Sequence, residues 1–207
     1  MTIEYRSGDL FAGVEKSLED GKRVVIAHVC NDEGGWGSGF VVPLGRTYPL
    51  AEAAYRKWHQ DGSTSGTKSL ICGSCHSTVV PFKLGECQIV QVVDFLPGLV
   101  IANMIGQRST IQRAESKTPV RYAAIAKCLE KVAAYAKLAQ SGHESHNKIE
   151  VHCPKFGAGL AGGRWTVVEA LLDEIVGKVA PTIVYEMTEV EAIERNVLES
   201  VYQGFRE

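Results

Sequence analysis

The sequence predicts one three-layer α/β/α domain around a central mixed sheet, carrying an extra C-terminal helix. Three observations lead there. Short apolar runs alternate with amphipathic segments of helical spacing, which is α/β organisation with helices on both faces of a sheet. Two neighbouring runs are joined only by "FLPG" (95–98), too short for a crossover helix, so that pair is an antiparallel hairpin. Glycine-rich stretches directly follow two of the runs, at the strand ends where open α/β sheets bind ligands.

The elements follow in order. "IEYRS" (3–7) is a weak strand suited to a sheet edge, and "RVVIAHV" (23–29) is apolar enough to be covered on both faces. "PLAEAAYRKWH" starts a helix at Pro49, a residue whose missing N–H is harmless at the first helical position. Residues 60–83, rich in Gly, Ser and Thr, match neither period and read as an insertion loop with a short strand of its own. "CQIVQVV" (87–93) and "LVIANMI" (99–105) form the hairpin. A long helix is predicted from Pro119, a strand at "IEVHCP" (149–154), and a helix from Thr166, with Glu169 completing a capping box. "TIVYEM" (182–187) is the last strand. Thr188 and Glu191 then open a helix whose Val190, Ile193, Val197, Val201 and Phe205 fall on one face. The predicted division is therefore a domain over 1–187 and a helical extension over 188–207, packed against it.

Composition narrows the function. The 207 residues are 45% hydrophobic, enough for one substantial core, and 22 basic residues interspersed with 24 acidic ones give a net charge of −2. No general affinity for nucleic acid or an acidic membrane is expected, so any anion must be held locally. With neither a signal-like N-terminus nor a membrane-length apolar run, the chain reads as cytoplasmic. Most of its six cysteines lie in apolar segments and read as small buried hydrophobes. "CGSCH" (72–76) mimics a haem-attachment motif or half a zinc site but lacks the further ligands; neither a metal nor a cofactor is expected.

The chemistry concentrates in the two glycine stretches. In "KFGAGLAGGRW" (155–165), Gly157, Gly159, Gly162 and Gly163 sit between a strand and a helix. Bare backbone there lets successive N–H groups turn toward a phosphate, beside the positive end of a helix. "GAGLAG" (157–162) also has Gly-x-Gly-x-x-Gly spacing, so a dinucleotide-binding Rossmann domain competes. Against it stand the motif's place in the last third of the chain, Gly162 lying ahead of the helix, and the second glycine stretch. That stretch, "CNDEGGWGSGF" (30–40), has Asn31, whose amide suits ribose hydroxyls, and Gly34, Gly35, Gly37 and Gly39, which free the backbone to wrap a sugar or phosphate. A polar surface turn with a structural Asn31 is the alternative.

The order "GDLF" (8–11), "HVCNDEGGWGSGF" (28–40), "LGECQIV" (84–90), "ANMIGQ" (102–107), "PVRY" (119–122) and "CPKFGAGLAGGRW" (153–165) resembles the macrodomain family. It is most similar to the branch of ADP-ribose 1″-phosphate processing and terminal ADP-ribose glycohydrolase-like proteins. The resemblance spans residues 3–187 apart from the insertion. It implies ADP-ribose, or an ADP-ribosylated acceptor, lying across the strand ends. Asp9 would meet the adenine amine with the Leu10 backbone alongside. Asn31 would face the distal ribose, flanked by Gly35, Trp36 and Gly37, with Gly39 and Phe40 also binding ADP-ribose. Gly157, Ala158, Gly159, Leu160 and Ala161 would hold the diphosphate, and Gly162 would bind ADP-ribose beside them.

Where the best-known hydrolases of that family carry an aspartate, this chain has Ser38; Gln107 and Ala161 match the lysine and aspartate of the terminal-glycohydrolase type. Removal of ADP-ribose from an acceptor would then rely on a substrate phosphate to orient water. The catalytic candidates are Asn31, Ser38, Gln107, Asp32 and His28. Asp32 is either a turn former or a cleft group, and His28 either a core histidine or a proton shuttle. Trp36 is expected to roof the distal ribose, and Trp165 to be core. Dephosphorylation of ADP-ribose 1″-phosphate and non-catalytic ADP-ribose reading are the alternatives; oligomeric state is left open.

Overall fold

The computed structural model describes residues 3–64, 79–92, 98–109, 118–141 and 148–186. The predicted helix over 188–207 and the "CGSCH" segment lie outside the described residues. The chain runs β1 (Ile3–Ser7), α1 (Leu10–Glu19), β2 (Arg23–Asn31), α2 (Val41–Thr47), α3 (Pro49–Asp61), β3 (Ser63–Thr64), β4 (Val80–Pro81), β5 (Cys87–Gln91), β6 (Leu99–Gln107), α4 (Tyr122–Ser141), β7 (Ile149–Pro154), α5 (Trp165–Leu172) and β8 (Thr182–Glu186). A π-helical turn, Asp173–Gly177, continues α5.

Six strands form one sheet in the order β1-β8-β7-β2-β6-β5, and only β5 runs antiparallel to its neighbour. This is the predicted mixed sheet, and its strand order is not that of a nicotinamide-binding Rossmann domain. Alternate residues of the buried strands serve opposite helix layers, as a period of two requires. Val24, Ile26 and Cys30 pack with Leu10 and Val14 of α1, Leu44 of α2, and Tyr55 and Trp58 of α3. Val25 and Ala27 pack with Ile125 and Leu129 of α4 and Val168 and Leu172 of α5. The insertion contributes the antiparallel pair β3–β4.

Several local expectations need correction. Helices α1 and α2 were not anticipated. Pro119 does not open α4, because Val120 bridges to Gln107 as an extension of β6 and delays the helix until Tyr122. Nor does Thr166 cap α5: Arg164 is the N-cap residue, without a side-chain cap bond, and Glu169 instead accepts from the Tyr5 hydroxyl on β1. A tertiary partner took the Glu169 position of the expected capping box. In place of a side-chain cap, the Tyr122 hydroxyl accepts the Arg164 N–H at 2.8 Å.

Candidate functional site at the carboxyl edge of the sheet

Because β1, β8, β7, β2 and β6 are mutually parallel, the segments that follow them emerge on one edge. Along β2, pairing with β7 ends at Ile26–His152, whereas pairing with β6 continues to Asn31–Gln107. Strands β2 and β7 therefore separate toward their carboxyl ends, and the two glycine turns rise on either side of that opening.

The turns meet. A Cβ placed on Gly39 would lie 3.4 Å from Leu160 Cδ1, and Leu160 is 53% exposed although apolar. A second connection runs beneath: Asn31 pairs with Gln107, Gln107 bridges to Val120, and the Val120 N–H donates to the Ala161 carbonyl.

In the turn after β7, Gly157 and Gly162 have φ of 75° and 69°, the left-handed region that glycine tolerates. At Gly163 a Cβ would stand 2.4 Å from the Gly157 carbonyl oxygen, the acceptor of Gly163's own N–H. Gly159 differs: its φ is not left-handed and a Cβ there would meet nothing within 4 Å among the described residues, which therefore do not require a glycine there. Among the described residues, no acceptor takes the backbone N–H groups of Gly157, Ala158, Gly159, Leu160 or Ala161. Contiguous amides of this kind near a helix N-terminus can hold an anion.

The turn after β2 is braced by side chains. Asn31 Oδ1 accepts the N–H groups of Glu33 and Gly35, each at 3.0 Å, and its Nδ2 donates to the Gly35 carbonyl at 2.7 Å. Asp32 Oδ1 accepts the Ser109 N–H at 2.6 Å, the Ser109 hydroxyl donates to Glu33, and Gln107 Nε2 donates to the Ser109 carbonyl. The side chains of Asn31, Asp32 and Gln107 thus hold loop geometry. Ser38 and Gly37 are exposed at the tip. The N–H groups of Trp36, Gly37, Ser38, Gly39 and Phe40 also have no acceptor among the described residues.

Two predicted site residues point inward. The Trp36 indole is 7% exposed and packs edge-on to His28, with ring centroids 5.4 Å apart, so it is core and not a roof. Trp165, expected to be core, packs against it only partly buried and donates from Nε1 to the Tyr5 hydroxyl at 2.9 Å. His28 lies in the core with Nε2 2.7 Å from Asn103 Oδ1, and burial lowers its pKa to about 4. A neutral, enclosed imidazole of this kind is the core histidine of the two readings, not the shuttle. Asp9 caps α1, its Oδ1 accepting the Phe11 N–H at 3.0 Å, and the Leu10 side chain is core. Phe40 stacks on Phe11 at 5.9 Å.

Sequence reasoning missed Tyr55, Arg56, Ser109 and Tyr122, whose polar atoms bond loop backbone or loop side chains. Tyr55 was legible only as a core position of α3, though a buried phenol needs a partner for its hydroxyl. Among the described residues no group of three or more His, Cys, Asp or Glu gathers as for a metal, and no helix is long and apolar enough to cross a membrane.

A mixed sheet with two neighbouring glycine turns at its carboxyl edge, their amides without acceptors among the described residues, is the arrangement in which α/β proteins hold anionic ligands. No family model matches the chain. A solved macrodomain protein from Streptomyces coelicolor is 37% identical, with TM-score 0.61, covering 89% of this chain and 98% of that one. A protein of unknown function from Bacteroides thetaiotaomicron is 33% identical, with TM-score 0.68, over 91% of this chain and 99% of that one. Among curated proteins, an ADP-ribose 1″-phosphate phosphatase of Lodderomyces elongisporus is 27% identical over 176 residues, covering 84% of this chain and 93% of the relative. The chain belongs to the macrodomain family.

Proposed function

We propose that the protein binds ADP-ribose across the carboxyl edge of the sheet and hydrolyses the bond at C1″ of its distal ribose, freeing ADP-ribose from a modified acceptor. The observation that carries this is the close approach of the two turns, each presenting backbone N–H groups that have no acceptor among the described residues. In this reading the diphosphate lies on the amides of Gly157 to Ala161, and Gly159 permits the closest approach. The Asp9 oxygen not used for capping takes the adenine amine, beside the Leu10 backbone. Gly35, Gly37, Gly39 and Phe40 and the Trp36 backbone surround the distal ribose, and Asn31, Asp32, Ser38 and Gln107 position its hydroxyls and the water.

The chain's own candidates include no strong free base, so a substrate phosphate orients the attacking water. Water adds to C1″ as the bond to the acceptor oxygen breaks, and the water's proton passes through the phosphate to that leaving oxygen. Oxyanion-type stabilisation comes from the amides, which are in place before reaction.

A second reading, release of phosphate from ADP-ribose 1″-phosphate, is favoured by the name of the curated relatives. There water attacks phosphorus and the P–O1″ bond breaks. The loop bonds already held by Asn31, Asp32 and Gln107 favour a third, ADP-ribose reading without turnover. One experiment separates them. The protein is incubated with Glu/Asp-, Arg- and Ser-linked ADP-ribosylated acceptors and with the 1″-phosphate, and products are resolved chromatographically. Free ADP-ribose from an acceptor is the expected result; inorganic phosphate alone selects the second reading, and binding without product selects the third.

A further inference from the structure

We propose that Tyr55 and Arg56, on α3, are positioning residues that dock the first glycine turn by its carbonyls and so aim the Gly37 N–H outward. The ligand half of this proposal rests on the ADP-ribose reading above; the docking half does not.

Glu52, Tyr55, Arg56 and His59 recur at helical spacing and share the face of α3 beneath the turn. The buried Tyr55 hydroxyl donates to the Asn31 carbonyl at 2.5 Å and lies 3.2 Å from Asn31 Oδ1, the atom that gathers the Glu33 and Gly35 amides. Arg56 reaches two further carbonyls, from Nη1 to Gly34 and from Nη2 to Trp36, each at 3.4 Å. Its guanidinium is oriented by Glu52, whose Oε1 accepts from Nε at 2.8 Å. His59 presses against Gly34, where a Cβ would come within 2.5 Å of Nδ1.

Geometry supplies the consequence. In a planar trans peptide the carbonyl of one residue and the N–H of the next point in opposite directions. With the Trp36 carbonyl turned to Arg56, the Gly37 N–H faces away from α3, toward solvent. A fork with several donors fits this task, because a single ammonium does not span two carbonyls while keeping Glu52. The neighbouring Trp36 Nε1 is buried without a hydrogen-bond partner among the described residues, and Glu52 Oε2 lies across Gly45 from it; a Cβ on Gly45 would be 2.7 Å from the one and 2.9 Å from the other. Trp36 therefore contributes packing here, and the polar hold on the turn comes from α3.

The test compares the protein with its Tyr55→Phe and Arg56→Gln variants by peptide-resolved amide hydrogen exchange and by calorimetric titration with ADP-ribose. Arg56 is on the surface, so its variant keeps the parental thermal midpoint. Exchange in the peptide holding the bonded Glu33 and Gly35 amides is expected to quicken by about tenfold in both variants, with the bonded Gly162 and Gly163 amides unchanged, and ADP-ribose affinity to fall by about tenfold. A general structural effect would instead quicken exchange in both turns alike and overturn the proposal. Unchanged exchange of the Glu33 and Gly35 amides in both variants overturns it as well. Faster exchange confined to the peptide that holds them, in a parent that binds no ADP-ribose, supports the docking roles and refutes the ligand reading.

Discussion

The two glycine turns reach one cleft by different means. The turn after β7 is shaped by its own backbone: Gly157 and Gly162 take left-handed φ, and Gly163 leaves room for the carbonyl it bonds. The turn after β2 is shaped by side chains, through Asn31 within it and Tyr55 and Arg56 below it. The first arrangement is written locally and the second depends on a helix some 20 residues away. Substitutions should damage the former through steric and φ constraints and the latter through lost hydrogen bonds.

The largest expected effect, acid sensitivity, is shared by the two foundations. His28 lies under the first turn, against Trp36 and Phe40, and His152 lies on β7, which leads into the second. Burial lowers both to about 4 from an ordinary 6.5, His152 despite a hydrogen bond to Glu150 that raises it. Between those values the unfolded chain binds more protons than the folded one. The stability that each neutral imidazole contributes is complete above about pH 6.5 and is lost as pH falls toward 4. Roughly 3 kcal/mol per histidine is at stake. Urea denaturation across this range should show the loss, and His152→Gln should remove one share of it.

Next in size, Gly163→Ala drives a methyl into the Gly157 carbonyl and Val120, and is expected to cost about 2 kcal/mol in denaturant titration. Tyr122→Phe removes the hydroxyl that accepts the Arg164 N–H and should cost about 1 kcal/mol, with faster exchange at the start of α5. Gly159→Ala is the smallest in stability, a change within about 0.5 kcal/mol, because its Cβ meets no atom of the described residues. Under the proposed function it nevertheless weakens ADP-ribose binding, since that methyl enters the space above the amides. A loss of stability matching that of Gly163→Ala would erase the distinction between the two glycines.

The difference between the turns also explains what was readable in the sequence. The parallel strands and both glycine stretches stood out because apolar periodicity and glycine density are local signals. The hairpin followed from a linker too short for a helix. The turns' meeting at Gly39 and Leu160 follows once their strands are parallel and near-neighbours. Tyr55 and Arg56 were not legible as loop anchors, since nothing within α3 tells which carbonyls will lie above it. The Thr166–Glu169 capping box failed for a related reason: Tyr5, on the far edge strand, binds Glu169. The inward turn of Trp36 was missed because a tryptophan in a glycine turn beside the distal ribose reads as its roof, whereas the aromatic floor of His28 and Tyr55 draws it into the core.

The most direct test of the shared cleft is a titration with ADP-ribose followed through the backbone amide resonances of both turns. The account predicts that the amides of Gly157 to Ala161 and those of Trp36 to Phe40 shift together and saturate with one binding constant. Shifts confined to one turn, or none at all, would contradict it.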